Sequence, residues 1–479
     1  MLQTARNRRR RSASAAGCLV AVLTAALTAG CLGGGDKEEL DPMKNADAKE
    51  FTLTISQNAI KTGKNAEGAK WVEDWVIPNF VKAQKEKGVD ATVEFKADGA
   101  DETDYKNTIS LDMEAGEAAD VIDVDGIWIG EFAESDFIRP LEEVVGAETL
   151  EGWDGWDQIP DSVEQNAVFD GDMYGVPTGT DGRVIFYNKE VFKDAGLPED
   201  WQPTSWEDML EAARAIADET DGVTPLQLNA GTAMGEATTM QGFLPMLAGL
   251  GAEIYADDTW QGNTKAVRDV LGLYEEVYSE DLGDPVMQQE AKGRDRSFQR
   301  FSEGKVGMLL EGDYFWRDVI SPDGEVAPMK DRDEDVGYAK IPAFEPGAGV
   351  NGQDFVSMSG GSTRVINPDT EYPQQAWELM EFMNSYEAQV ALLGDQPRIT
   401  HREDVNSEVL ADDDFMSFVA EEVVPLTLFR ASLGDYPRVS TAVQEATYAV
   451  VDGVSVEEAA ETYQSELESI VGDDKIATG

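Results

Sequence analysis

Predicted strands and helices alternate along the chain after its first fifty residues, and this alternation limits the fold most strongly. Residues 51–55 and 91–95 mix apolar and β-branched residues as strands do, and 120–124 forms a third such run. Between these runs, residues 69–84 and 104–116 place apolar side chains at helical spacing. Strands separated by helices of ten or more residues indicate a parallel sheet. The sequence therefore predicts an α/β fold.

Polar and aromatic residues follow two of the predicted strands. Gln57 and Asn58 come after the first strand, and Asp125 and Trp128 come after the third. In open parallel sheets, ligands bind beyond the carboxyl ends of the strands, so we expect a binding site there. These turns contain no Gly-x-Gly-x-x-Gly motif and no phosphate-binding lysine motif, so a nucleotide is not indicated.

The first thirty residues have the features of a secretory signal. Five arginines between positions 6 and 11 precede an apolar stretch at 15–27, which ends in Leu27-Thr28-Ala29-Gly30-Cys31. The stretch is shorter than the roughly 20 residues that span a bilayer. A cysteine directly after small residues resembles a lipobox, which implies lipid attachment at Cys31. We expect a lipoprotein signal peptide at 1–30, exported by the general route; an ordinary secretory signal and twin-arginine export are the alternatives.

Residues 31–49 are Gly-rich and charged at their start and contain few apolar residues to bury. This composition predicts a flexible tether. Cys18 lies inside the signal, so the mature chain would keep only Cys31 and could form no intramolecular disulfide. A chain of this length can bury a sufficient core without disulfides, and it is long enough for two or three domains.

The chain is strongly acidic, with 38 Lys and Arg residues, 94 Asp and Glu residues and a net charge of −56. Such a field repels nucleic acid and anionic lipid surfaces, so these partners are excluded. It could attract a cationic ligand. Since the acidic residues are spread along the whole chain, adaptation of a halophilic organism to strong salt is the favoured interpretation.

A series of short motifs occurs in order along the chain, within a stretch from about residue 51 to 471. The motifs are Gly171-Asp172-Met173-Tyr174-Gly175-Val176-Pro177 with Asp181; Phe186-Tyr187-Asn188-Lys189; Ala195-Gly196-Leu197-Pro198 with Thr204-Ser205-Trp206-Glu207; Phe301 to Met308 with Gly312-Asp313-Tyr314; Gly360-Gly361; Ala376-Trp377-Glu378; and Gln396-Pro397-Arg398. This series resembles the sugar-type extracellular solute-binding proteins of ABC importers, the maltose-binding-protein-like family 1.

The resemblance implies a two-lobed periplasmic-binding-protein fold, type II-like, with three crossings between the lobes. The N-terminal lobe would contain 50–183 and 340–396, and the C-terminal lobe 184–339 and 397–472. Crossings are expected at 181–184, 338–342 and 396–399, where Gly or Pro can absorb backbone change. Solute would bind in the cleft by hinge closure.

The same resemblance implies a function without catalysis and without a cofactor. The protein would be a monomer on the outer face of the cytoplasmic membrane, held there only by its lipid. It would deliver a sugar to a membrane permease that works with a cytoplasmic ATPase. Glycerol phosphoesters and polyamines remain alternative solutes, and an acidic cleft would oppose anionic solutes unless arginines lined it.

A sugar site needs aromatic rings for the apolar C–H faces and carboxylates or amides for the hydroxyls. Asp181 matches an acidic family position at the first crossing, Tyr314 and Trp316 match its aromatic platform, and Arg430 and Tyr436 occupy a late contact segment. The expected ligand-binding residues are Gln57, Asn58, Asp125, Trp128, Asp181, Tyr314, Trp316, Arg430 and Tyr436. Core packing is the alternative for Trp128 and Trp316, and it is the favoured role of Trp71, Trp75, Trp206 and Trp377.

A secreted glycoside hydrolase would also combine aromatic residues with paired carboxylates. In so acidic a chain, pairs such as Asp123 and Asp125 arise by chance. The single histidine, His401, and the absence of a Gly-x-Ser-x-Gly motif argue against serine hydrolysis. One histidine and no EF-hand loop give no support for a zinc or calcium site. A receptor is therefore favoured over an enzyme.

Overall fold

The computed structural model describes residues 40–61, 65–100, 102–324, 326–394 and 398–477. The predicted signal peptide and Cys31 lie outside these residues, as do Gln396 and Pro397 of the third predicted crossing. Among the helices described, none combines the length and the apolar character needed to cross a membrane.

The first sheet has five strands, in the order Asp90–Ala97, Glu50–Gln57, Val121–Asp125, Ser362–Ile366 and Gly175–Pro177. The first three are parallel, and the last two strands pair antiparallel with their neighbours. Phe51, Leu53 and Ile55 are buried at every second position, as the sequence pattern requires. The three predicted strands are thus confirmed.

The helix after the first strand includes a π-helical segment. It runs through Ala66–Lys70, Trp71–Val76 and Ile77–Glu86, and the middle part is the π segment. Such segments are rare in proteins, and those that do occur are often found at functional sites. The next predicted helix is present as Glu102–Ala115.

The second sheet has four strands, in the order Val336–Ala339, Arg183–Asn188, Val306–Gly312 and Thr224–Gln227. Every residue of the strands at 183–188 and 306–312 is buried, so these strands lie inside the core. Four long helices contribute to the core beside this sheet: Trp206–Glu219, Lys265–Ser279, Tyr436–Val451 and Val456–Val471. Ser205 caps the first of them by accepting a hydrogen bond from the backbone N–H of Asp208 at 3.1 Å.

A small third sheet lies where the chain passes between the two larger ones. It contains Ile341–Pro342, Phe355–Ser359 and Thr427–Phe429. Residues 178–182 join the last strand of the first sheet to Arg183–Asn188 of the second. The strands of each large sheet come from the segments predicted for one lobe; the lobe boundaries themselves stay a prediction.

Residues 40–49, which the sequence assigns to the tether, contact the folded body. Gln374 and Gln375 donate side-chain N–H groups to the carbonyls of Pro42 and Asn45, each at 2.9 Å. The Asn45 amide in turn donates to the carbonyl of Glu371 at 2.9 Å. Because these bonds fix the backbone, the segment around residues 42–45 is part of the folded body, although its composition predicts a flexible tether.

The remaining elements are short or surround the two sheets. Helices of all types occur at Gly126–Trp128, Ile129–Glu134, Leu141–Val145, Ala147–Glu151, Trp156–Gln158, Asp161–Glu164, Gln165–Ala167, Lys189–Asp194, Glu236–Thr238, Thr239–Phe243, Leu244–Gly249, Met287–Gln289, Gly293–Ser302, Phe315–Val319, Arg332–Asp335, Val350–Gly352, Pro373–Met383, Tyr386–Leu393, Glu403–Val409, Asp414–Phe418, Val419–Val423, Val424–Leu426 and Asp473–Lys475. Short strands occur at Val168–Phe169, Asp172–Met173, Tyr255–Ala256, Thr259–Gln261 and Ile476–Ala477.

Candidate functional site

A cavity of about 1060 Å³ is lined by residues of the first sheet and by residues that follow a strand of the second sheet, and we call it the cleft. Gln57 reaches it from the end of the first strand, and Asp313 and Tyr314 reach it directly after the strand Val306–Gly312. The crossing at 178–181 also contributes to its wall. The cleft therefore lies at strand ends, where an open α/β sheet binds its ligands.

Asp181 ties the crossing to the strand Phe355–Ser359. Its Oδ1 accepts from the backbone N–H of Gly360 at 2.7 Å and from the guanidinium of Arg183. The hydroxyls of Thr180 and Ser359 form a further hydrogen bond at 2.6 Å beside it. Charge-assisted bonds of this kind are strong, so the carboxylate of Asp181 is held firmly at the wall of the cleft.

Asp313 is a buried carboxylate with one oxygen unused. Its side chain is only 1% exposed, and Oδ1 lies 3.5 Å from Nη1 of Arg317. Oδ2 has no hydrogen-bond donor among the described residues. Burial raises the pKa of Asp313 to about 7, although the charge of Arg317 opposes this shift. Oδ2 is therefore a buried acceptor in the wall of the cleft that no described residue satisfies.

Tyr314 is a half-buried aromatic residue that lines the cleft. Its hydroxyl donates to the carboxylate of Glu311 and accepts from the guanidinium of Arg294. The same guanidinium lies 5.2 Å from the centre of the ring. Glu311 is fully buried, and it accepts two hydrogen bonds from Arg294 at 3.0 and 2.8 Å. These contacts fix the ring before any ligand binds.

Two tryptophans that the sequence assigns to packing also form part of the cleft wall. Trp71 is buried and donates its indole N–H to the carbonyl of Ala388 at 2.8 Å. Trp75 stacks on Phe382 with ring centres 5.6 Å apart. Both lie in the π-helical segment and both line the cleft. They therefore pack and, in addition, give the cleft apolar surface.

Gln57 and Asn58 are placed differently. Gln57 lines the cleft, and its Oε1 is buried without a hydrogen-bond donor among the described residues. Asn58 is not part of the wall; its carbonyl accepts from the amide of Asn65 at 2.8 Å. Of the nine residues predicted to bind the ligand, the cleft thus brings together Gln57, Asp181 and Tyr314.

Residues 63–390 match the family described as bacterial extracellular solute-binding protein. This match covers well over half of the chain. The chain belongs to this family. Its members are solute-binding proteins rather than enzymes.

Curated relatives of this solute-binding protein have similar lengths. A putative binding protein of Brucella abortus is 25% identical over 71% of this chain and 73% of its own. A maltooligosaccharide ABC transporter solute-binding lipoprotein of Streptococcus pneumoniae is 24% identical over 66% of this chain and 67% of its own.

Solved structures share the fold of this solute-binding protein. The sugar-binding protein MalE of Xanthomonas citri has a TM-score of 0.70 and 19% identity, and the match covers 88% of this chain and 98% of that one. A cyclic alpha-maltosyl-1,6-maltose binding protein of Arthrobacter globiformis has a TM-score of 0.68 and 16% identity, over 88% and 100% of the two chains. The predicted two-lobed periplasmic-binding-protein fold is confirmed.

Trp128 and Trp316 do not line the cleft of this solute-binding protein. Trp128 is 6% exposed and packs between Tyr105 and Phe132, with ring centres 6.3 and 6.1 Å away. Trp316 is 5% exposed, and it lines a separate cavity of about 570 Å³ together with Phe415. In both cases the indole ring is packed in the apolar core.

Asp125, Arg430 and Tyr436 form a charged network beside the cleft. Arg430 places its two terminal nitrogens 3.6 Å from Asp125 and 3.5 Å from Glu236. Tyr436, almost fully buried, donates its hydroxyl to Glu236 at 2.6 Å. A Cβ atom on Gly360 would lie 3.8 Å from Asp181 and 3.9 Å from Arg430, so this network adjoins the cleft at the crossing.

Several polar residues of the cleft wall were missed by the sequence reasoning. Asp123 accepts from Arg364 at 2.6 and 3.2 Å, and both side chains are buried. Arg317 and Arg398 also line the cleft. Asp313 stands beside Tyr314 in the motif Gly312-Asp313-Tyr314, which is the one local signal that could have indicated it. Arg398 stands in the motif Gln396-Pro397-Arg398, but that motif was assigned to a crossing rather than to the site.

His401 is fully buried, and burial together with nearby arginines lowers its pKa to about 3. It is therefore neutral at ordinary pH. In the part of the chain that the structure describes, no group of three or more His, Cys, Asp or Glu residues could hold a metal ion.

Proposed function

We propose that this solute-binding protein captures a sugar in the cleft and delivers it to an ABC permease. The arrangement at Tyr314 carries the proposal. Tyr314, its neighbour Asp313 and Gln57 all line the cleft, and Oδ2 of Asp313 and Oε1 of Gln57 are acceptors without a donor among the described residues. Sugars offer apolar C–H faces to rings and hydroxyl donors to such oxygens. The site therefore suits a mono- or oligosaccharide.

The relatives support the same class of ligand. Among those similar to this chain are a maltooligosaccharide-binding lipoprotein and the sugar-binding protein MalE. A further solved relative, from Agrobacterium radiobacter, is in complex with the polyol ribitol. The names of all three relatives refer to polyhydroxylated solutes.

Capture is proposed to occur by hinge closure of a monomer. One lobe contains 50–183 and 340–396, and the other contains 184–339 and 397–472. The segment at 178–182 connects the two large sheets, the segment at 338–342 leads from the second large sheet into the small third sheet, and both would absorb the backbone change. Ligand contacts that reach both lobes would favour the closed form, because only that form makes them all.

The protein is proposed to act outside the cytoplasm, held at the membrane by lipid on Cys31. The family name supports an extracellular location, and one relative is named a lipoprotein. The net charge of −56 supports adaptation to strong salt. Unfolding measured from low to multimolar salt tests the last point, since equal stability at both ends would contradict it.

Thermal unfolding of the purified protein against a panel of mono- and oligosaccharides tests the proposed function. A ligand at a hundredfold excess over its dissociation constant stabilises the fold by about 3 kcal/mol, which is readily measured. Tyr314→Leu should abolish the stabilisation. Tyr448→Leu, which changes a half-buried aromatic residue outside the cleft and outside the crossings, should retain it.

Stabilisation by a polyamine and by no sugar would contradict the proposal. Release of monosaccharide from an oligosaccharide during the assay would contradict it in a different way, since it would indicate hydrolysis.

A further inference from the structure

The cleft is far less acidic than the chain around it. Over the whole sequence, 94 acidic residues stand against 38 Lys and Arg residues. Along the described cleft wall the two signs are nearly balanced. The acidic residues are Glu67, Asp74, Asp123, Asp181 and Asp313, and the basic residues are Lys70, Arg317, Arg364 and Arg398. In a chain of this composition, such a concentration of arginines indicates a local requirement for positive charge.

Each carboxylate of the wall already has a cationic partner. Asp123 pairs with Arg364, and Asp181 pairs with Arg183. Asp313 lies 3.5 Å from Arg317. At the rim, Glu67 pairs with Lys70 and Asp74 with Lys61, each at 2.8 Å. The acidic groups of the wall are thus compensated without any ligand.

Arg398 is the exception among the cations of the wall. Within the described residues its guanidinium has no hydrogen bond and no ion pair. Arg398 is an exposed residue that lines the cleft together with Arg317, and partial burial and the charge of Arg317 both lower the pKa of Arg398. Since an arginine stays charged in proteins, an anion placed beside both groups would relieve their repulsion.

Asp313 lies on the same part of the wall, and its Oδ2 lacks a donor among the described residues. A ligand group that satisfies this oxygen must donate a hydrogen bond, as a hydroxyl does. The cleft thus offers a site for an anion at Arg398 and Arg317, and a site for a hydroxyl at Asp313.

We infer that the sugar taken up by this cleft is an acidic one, whose anionic group binds Arg398 and Arg317 while a hydroxyl donates to Asp313. The inference rests on the proposed function and names the substrate class of the same site. A carboxylate and a phosphate share the required chemistry, since both accept paired hydrogen bonds from guanidinium groups.

Calorimetric titration with matched ligands tests the inference. Glucuronate is compared with glucose, galacturonate with galactose, and glucose 6-phosphate serves as the phosphate arm. The same titrations are made with Arg398→Gln and with Arg438→Gln. The latter removes an equal charge from an exposed position outside the cleft, where Arg438 pairs weakly with Asp435 at 3.6 Å.

We expect the acidic sugars to bind at least about tenfold more tightly than their neutral counterparts, because charged hydrogen bonds distinguish them. Arg398→Gln should remove this advantage, and Arg438→Gln should keep it. Preference for glucuronate or galacturonate would identify a carboxylate, and preference for glucose 6-phosphate a phosphate; either supports the inference.

Equal affinity for neutral and acidic sugars, with Arg398→Gln behaving like Arg438→Gln, would overturn the inference and leave the proposed function intact. If neither neutral nor acidic sugars bind, both the inference and the proposed function are overturned.

Discussion

Replacing Asp313 by Asn changes how stability depends on pH, and the structure gives the size of the effect. The pKa of Asp313 is about 7 in the folded protein against 3.8 for the ordinary group, chiefly because the side chain is buried. Since each pKa unit corresponds to about 1.4 kcal/mol, ionised Asp313 destabilises the fold by about 4 kcal/mol. Asn keeps the shape of the side chain and cannot ionise.

The sign follows from the raised pKa. Well below pH 3.8 Asp313 is protonated in both the folded and the unfolded state, so its ionisation makes no difference there. As the pH rises towards 7, the unfolded state gains stability by losing the proton first. The free energy of unfolding of Asp313→Asn, minus that of the wild type, should therefore rise by about 4 kcal/mol between pH 4 and pH 8.

Urea unfolding followed by tryptophan fluorescence, at fixed ionic strength and without ligand, measures this difference. Asp318→Asn is the control, because Asp318 bonds the same Arg317 but is 48% exposed. An exposed ion pair contributes little to stability. The free energy of unfolding of Asp318→Asn, minus that of the wild type, should therefore change by less than about 1 kcal/mol over the same pH range. If Asp313→Asn and the wild type keep a constant difference from pH 4 to pH 8, the reasoning about the buried carboxyl is refuted.

Three further substitutions test other parts of the account. Cys31→Ser should move the protein from the membrane fraction to the soluble fraction of cells; retention at the membrane would contradict lipid attachment there. Asp123→Ala should lower the free energy of unfolding in urea by about 3–5 kcal/mol, because it leaves the buried guanidinium of Arg364 unpaired. Gly130→Ala should cost about 1–3 kcal/mol, since its Cβ would lie 1.7 Å from a backbone carbonyl oxygen of the facing loop. Gly434→Ala has room for the added atom and should unfold like the wild type.

The sequence predicted most of the first sheet, because the signal for a strand is local. The run at 51–55 became the strand Glu50–Gln57, and the run at 91–95 became Asp90–Ala97. The helix predicted at 104–116 is present as Glu102–Ala115. Alternation of apolar residues within a few positions determines each of these elements, so no distant contact is needed to predict them.

The tether was harder to delimit. Pro42 and Asn45 lie in a polar stretch that has no periodic pattern, and their backbone is fixed by side chains more than 320 positions away. The composition predicted flexibility here because the stretch has few apolar residues to bury. Composition contains no information about hydrogen bonds that a distant helix supplies.

The aromatic residues illustrate why the site was only partly predicted. Trp128 follows a strand end and was predicted to bind the ligand, yet it packs in the core, whereas Trp71, predicted to pack within a helix, lines the cleft. A helix presents one face to the core and another to the cleft, and sequence periodicity alone does not distinguish them. Asp123 and Arg364 are 241 positions apart, so their pairing could not be predicted from local sequence patterns either.

A crystal structure of the complex with the sugar that stabilises the protein most would test the central claim directly. We expect one sugar in the cleft, with a face against the ring of Tyr314 and a hydroxyl within hydrogen-bond distance of Oδ2 of Asp313. A sugar bound instead in the cavity between Trp316 and Phe415, with the cleft unoccupied, would contradict it.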